Sequence, residues 1–134
     1  MSIQAVTFGS YNNILKTAWK KGKLPTVTKG IYGKTLTNDT ISLEHIVPHS
    51  LGGQTTLDNL FLADMYENSK RGIKPIADVI TEKQLTEYLL QFKNIKIKGF
   101  NGDDYIRRII RKIEQLGGLY KWIFLKKLKQ QMNF

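Results

Sequence analysis

Apolar positions recur along this chain with two different periods, and the changes between them divide it into elements. Ile14, Leu15, Ala18 and Trp19 share one face at helical spacing after Ser10, and Gly22 follows, which predicts a first helix near residues 11–21. Past Pro25 and Gly30, Ile31 to Leu36 reads as a short strand interrupted by Gly33, with a turn at Thr37-Asn38-Asp39. Ile41 to Val47 alternates, with Leu43, His45 and Val47 on one face and Glu44 and Ile46 on the other, until Pro48 ends it. An irregular loop from Ser50 to Thr56 contains the pair Gly52-Gly53. Leu57 to Leu62 then fits a second strand, antiparallel to the first. Asp64 is placed to cap a short helix reaching Arg71, with Glu67 three residues on and Gly72 as its stop.

The second half is helical in pattern. Thr81 with Gln84 makes a capping box ahead of a helix to about Phe92. Asn101 precedes an amphipathic helix from about 103 to 116, whose apolar stripe is Ile106, Ile109, Ile110, Ile113 and Leu116. Gly117-Gly118 interrupts it. Leu119 to about Leu128 resumes as helix, with Leu119, Trp122 and Ile123 as a core seam, and the chain is expected to fray from Gln130 onward. These elements imply an α+β fold in one domain over residues 1–134. It has a strand-strand-helix core at about 41–72 and a helical C-terminal arm at about 81–131.

Charge changes the picture more than composition does. The formal net charge is +10 in 134 residues, and it is segregated. Residues 1–37 hold six lysines and no acid, residues 38–94 hold eight acids against five bases, and residues 95–134 hold ten bases against three acids. A near-neutral to acidic centre between basic flanks suits a metal site set in a phosphate-binding cradle, and nucleic acid is the expected partner. No apolar run approaches the roughly 20 residues a membrane helix needs. The N-terminus does not read as a secretory signal, so a cytoplasmic location is expected. The chain has no cysteine, which excludes disulfides and thiolate zinc sites.

The chemistry is concentrated in one stretch: Glu44-His45-Ile46-Val47-Pro48-His49, then Gly52-Gly53, Asp58-Asn59-Leu60 and Asn68-Ser69-Lys70-Arg71-Gly72. Hydrolysis of a phosphodiester requires a base to generate hydroxide and a cation to stabilise the charge built on phosphorus and on the leaving alkoxide. Histidine can act as that base near neutral pH, and His45 is the candidate. The order and spacing of these residues, fourteen from His45 to Asn59 and nine from there to Asn68, resemble the HNH, or ββα-metal (His-Me finger), nucleases. That family includes the colicin DNases and the HNH domain of the CRISPR effector nuclease.

The resemblance spans about residues 29–76 and implies a metal-dependent DNA endonuclease of the small phage, mobile-element or bacterial kind. It implies that Glu44 and Asn68 are metal ligands and that Asn59 ties the loop together and orients the base. Asp is commoner than Glu at the first of these positions. Where some members carry a further His, this chain has Gly72, so two protein ligands remain, which favours Mg²⁺ or Mn²⁺ over Zn²⁺. No structural zinc is expected. Lys70 and Arg71, with Lys74 as a weaker candidate, fall where cations would hold phosphate oxygens. Arg107, Arg108, Arg111 and Lys112 form a basic stripe expected opposite the isoleucine face and against DNA. His49 has no assigned role. The alternatives are a non-catalytic DNA-binding module of the same fold, or a subunit of a larger complex; a homodimer is a further expectation that the sequence does not decide.

Overall fold

The computed structural model describes residues 14–117 and 124–134, and the fold is α+β. Helical residues 14–20 form α1, closed by Gly22 in the left-handed region; the expected start at 11–13 and its Ser10 cap lie outside the described residues. Strand β1 (Ile41–His45) pairs antiparallel with β2 (Leu60–Asp64), His45 opposite Leu60 and Glu44 opposite Phe61. Helix α2 (Met65–Arg71) follows directly, so strand, strand and helix succeed one another. Beyond it come α3 (Ile76–Val79), α4 (Glu82–Leu90), the two-residue strands β3 (Lys96–Ile97) and β4 (Phe100–Asn101), α5 (Gly102–Gln115) and α6 (Leu125–Gln131).

The caps form as the sequence specifies. Asp64 accepts from the backbone N–H groups of Tyr66 and Glu67, Thr81 and Gln84 make a reciprocal capping box, and Asn101 accepts from Asp104 N. Glu67, expected to reach back to Asp64, instead pairs with Lys70 at 3.5 Å.

Three stretches differ from expectation. Residues 31–36 make no strand: Gly33 takes φ 78° in a turn whose N–H returns to Gly30 O, leaving only a bridge between Lys29 and Thr35. Ile31 and Leu36 still reach the core, one from each side of that turn. Residues 57–59 form a tight 3₁₀ turn, so β2 begins at Leu60 and runs to Asp64. At the C-terminus, α6 continues past Gln130 to Gln131, because Leu125, Leu128 and Met132 share a buried face. The seam of Leu119, Trp122 and Ile123 lies outside the described residues.

One apolar cluster runs from Leu15 and Leu24 through Phe61, Leu62, Leu85 and Phe92 to Ile106, Ile109, Ile110 and Ile113. Leu116, expected to continue the α5 stripe, is 44% exposed. Among the described residues, strand β2 has a strand partner on one edge only; on its other edge Ile31 N donates to Leu62 O (2.9 Å), and two tyrosine hydroxyls bind there as well. Leu62 N donates to Tyr88 Oη (2.8 Å), Tyr88 Oη lies 2.8 Å from Tyr105 Oη, and Tyr105 donates to Leu60 O (2.7 Å). The two ends fix the direction of the middle bond: Tyr88 accepts from the strand and must donate to Tyr105. This relay ties α4 and α5 to the strand that backs the site.

Candidate active site

The alternation of β1 sends Glu44 and His45 to opposite sides of the strand. Glu44 turns toward α2 and is 1% exposed. Its Oε1 accepts from Tyr32 Oη and from Arg71 Nη1 (3.2 Å), while Oε2 is buried with no hydrogen-bond partner among the described residues. Burial raises the Glu44 carboxyl above the ordinary range, against the opposing effects of the Tyr32 hydrogen bond and the Arg71 charge. Tyr32 is itself raised, by burial first and then by its bond to Glu44.

His45 turns the other way and is half-buried. Its Nε2 lies 2.8 Å from Thr55 Oγ1, and the ring of His49 approaches edge-on with centroids 5.9 Å apart. Burial lowers the His45 pKa, helped by the charges of His49 and Arg71. The imidazole is therefore held toward its neutral form, the form that can take a proton.

Asn59 is buried and fully committed. Its Oδ1 accepts from Val47 N (2.9 Å), and its Nδ2 donates to Val47 O (3.1 Å) and Gln54 O (2.9 Å). These bonds replace the sheet ladder where β1 stops, and they pin both ends of the loop that carries Thr55. Gly53 completes the closure: a Cβ there would sit 1.8 Å from Val47 O, so no other residue fits.

Helix α2 lies across the Glu44 side of the strand. Asn68 directs Nδ2 at Leu43 O (3.3 Å) and Ser42 Oγ (3.4 Å), which places it on the same interface as Glu44 without a hydrogen bond between them.

Arg71 corrects an expectation. It is 4% exposed, and its donors go to Lys74 O (2.8 Å), His45 O (2.5 Å), Ile46 O (2.6 Å) and Glu44. The guanidinium has no surface left for a phosphate. It sits beneath the end of α2, where three carbonyls and a carboxylate converge.

The remaining cations are spread over separate surfaces. Lys70 and Lys74 are exposed, Lys70 in a loose pair with Glu67. The basic residues of α5 do not form one stripe. Arg108, paired with Asp104 at 2.7 Å, and Lys112, 3.6 Å from Asp58, line a cleft of about 550 Å³ with Gly52, Gly53, Gln54 and Thr56. Arg107 and Arg111 border a different cleft, with Arg107 stacked over the Phe134 ring at 4.1 Å.

No protein-family model, curated protein or solved structure matches the chain. A hard divalent cation would find oxygen donors here: Glu44 Oε2 is an unsatisfied buried acceptor, and Asn68 commits only its amide nitrogen to neighbours. Among the described residues no three His, Cys, Asp or Glu side chains converge. A site built on Glu44 and Asn68 would thus leave most positions to water and phosphate, which suits Mg²⁺ or Mn²⁺. Among the described residues, no helix is long and apolar enough to cross a membrane.

Tyr32 and Thr55 belong to the site and were not singled out by sequence. Tyr32 lies within the stretch 30–34 that shares in the family resemblance but has no assigned role there, Thr55 stands at no motif position, and both reach their partners because the loops fold back onto β1. The one signal for Thr55 was its place in the loop between the Gly pair and Asn59.

Proposed function

We propose that the chain is a metal-dependent DNA endonuclease of the ββα-metal kind, hydrolysing phosphodiester bonds with His45 as general base. The observation that carries this reading is His45 itself. A half-buried imidazole is displaced toward neutrality, gripped at its ring by Thr55 and at its backbone by Arg71, beside a loop locked by Asn59. A histidine that only filled space would not require three separate restraints.

Glu44 and Asn68 would hold Mg²⁺, with Mn²⁺ as a substitute. Such an ion would supply positive charge to offset the negative charge that builds as the phosphodiester is attacked. His45 withdraws a proton from the attacking water. Asn59 keeps Val47 and Gln54 in place, so that the loop above His45 does not shift during attack. Lys70 and Lys74, exposed at the end of α2, and the α5 cations draw in the DNA backbone through phosphate contacts, which carry little sequence information.

A second reading has its own observations: Glu44 is almost wholly enclosed, half committed to Arg71 and turned to the opposite side of β1 from His45, as a purely structural carboxylate would be. On that reading the chain is a DNA-binding module without catalysis. Relaxation of supercoiled plasmid separates the two. Cutting with Mg²⁺ or Mn²⁺, abolished by EDTA and reduced by about 10²–10⁴ in His45→Ala, supports the nuclease. Retention of DNA binding without any cutting supports the module, and robust cutting in EDTA removes Glu44 and Asn68 as ligands.

A further inference from the structure

The ring of His45 has two nitrogens, and they are not equivalent here. Nε2 faces Thr55 Oγ1 at 2.8 Å, and Thr55 stands on a loop that cannot drift. Asn59 Nδ2 holds Gln54 O at 2.9 Å, immediately before it, and Gly53 is closed against Val47 O. A neutral imidazole carries one N–H and one bare nitrogen. If the Thr55 hydroxyl donated to Nε2, the proton would sit on Nδ1 and the ring would have no lone pair free for water. If Thr55 accepts, Nε2 is the N–H, and Nδ1 is the basic nitrogen.

We infer that Thr55 is a positioning residue for His45: its hydroxyl accepts from Nε2–H, fixes that tautomer, and leaves Nδ1 to take the proton from water. The inference rests on the nuclease reading above and adds a residue to it. A hydroxyl suits this role better than a carboxylate. It orients the ring through one hydrogen bond without placing a further charge beside it. Arg71 acts on the same residue from the other side, fixing the His45 carbonyl at 2.5 Å. The backbone and the ring are thus held independently.

The test has two readouts, only one of which needs cleavage. In ¹⁵N-labelled native protein at about pH 8, above the ordinary imidazole range, long-range proton–nitrogen correlation should show His45 Nε2 protonated and Nδ1 bare. Thr55→Val keeps the shape and removes the acceptor; it should give a mixture of tautomers, and Thr55→Ser should restore the native pattern. Thr55→Val should lower kcat by about 10–100-fold, the usual scale for losing a partner that orients an active imidazole. KM for DNA should stay within about twofold and Thr55→Ser within about threefold of native kcat; the tautomer pattern, read on folded protein, separates a positioning role from a loss of active enzyme. A native protein with Nδ1 protonated overturns the inference, and so does a Thr55→Val variant with unchanged tautomer and kcat. A native chain that does not cut DNA overturns the nuclease reading instead, while the nitrogen shifts still decide the hydrogen bond.

Discussion

Replacing Arg71 with Met should destabilise the fold far more than loss of a surface cation would. The substitution keeps an unbranched stem and removes every donor. Glu44, 1% exposed, would lose its counter-charge, and the carbonyls of His45, Ile46 and Lys74 would lose the N–H groups now 2.5, 2.6 and 2.8 Å away. Breaking a buried pair by removing one partner costs about 3–5 kcal/mol, chiefly because the other charge is stranded. Against a total of about 5–15 kcal/mol for a small domain, that is a large fraction.

Urea unfolding in EDTA at neutral pH measures the loss, and the double variant Glu44→Gln, Arg71→Met should recover part of it, since no charge is then left uncompensated. The pH dependence has a definite sign. The folded Glu44 carboxyl is already raised above its ordinary value of 4.5 by burial, and Arg71 is one of the groups holding it down. Without Arg71 it rises further. A carboxyl raised in the folded state contributes stability below its unfolded pKa and loses it as pH climbs through the folded pKa. The gap between native protein and Arg71→Met should therefore widen from acid toward neutral pH and narrow on acidification. A loss under about 1 kcal/mol, constant with pH, would mean that Arg71 is not the counter-ion of a buried carboxylate.

Asn59→Ala, which removes one acceptor and two donations at Val47 and Gln54, should cost about 2–4 kcal/mol in thermal or urea unfolding; a loss under about 0.5 kcal/mol would show that the loop is held elsewhere. If His45 is the base, the acid limb of the cleavage rate should lie below the ordinary imidazole value of 6.5, since burial, His49 and Arg71 all lower it. His49→Ala removes one of these causes and should move the limb toward higher pH; a limb unmoved or shifted to lower pH would contradict the coupling. Gln at Arg107, Arg108, Arg111 and Lys112 should flatten the salt dependence of DNA binding, by up to roughly 0.9 in log–log slope for each phosphate no longer neutralised. The Arg107/Arg111 pair and the Arg108/Lys112 pair should act separately, because they border different clefts. An unchanged slope in both leaves α5 without a DNA role.

Much of the local structure was legible because it is decided locally. Asp64, Thr81 with Gln84, and Asn101 cap helices through bonds that span two or three residues, so spacing alone reveals them. The order of Glu44, His45, Asn59 and Asn68 likewise marked a stretch that the fold draws together around β1 and the loop after it. What failed depends on distant packing. Arg71 looks exposed in sequence because it ends a short polar helix beside Lys70. Its burial follows from where the end of α2 lies over β1, and nothing within a few residues encodes that. Ile31 to Leu36 shows the same limit: its apolar ends reach the core, but the backbone between them turns at Gly33 instead of extending. Tyr88 and Tyr105 gave no sign that their hydroxyls complete a strand edge 26 and 45 residues away in sequence.

Adjacent residues on a strand face opposite ways, and a site that needs both Glu44 and His45 has to overcome that. The structure does not curl the strand to bring the two side chains together. Glu44 remains with α2, Tyr32 and Asn68 on one side, and His45 remains with Thr55 and His49 on the other. Arg71 joins the two sides: a single nitrogen, Nη1, donates both to Glu44 Oε1 and to the carbonyl oxygen of His45. Any displacement of that carboxylate, such as a cation drawing on Oε2 would produce, changes the bond that fixes the His45 backbone. A flexible lysine, with one point charge and no planar fork, would not hold both acceptors and the Ile46 carbonyl at once. That makes Arg71→Lys the sharper companion to the Met variant. It retains the charge that Glu44 requires, so most of the stability should remain, while the restraint on His45 is lost and cleavage should fall. Equal retention of stability and cleavage in Arg71→Lys would show that charge alone is sufficient, and that the two sides of the strand are not coupled through the guanidinium.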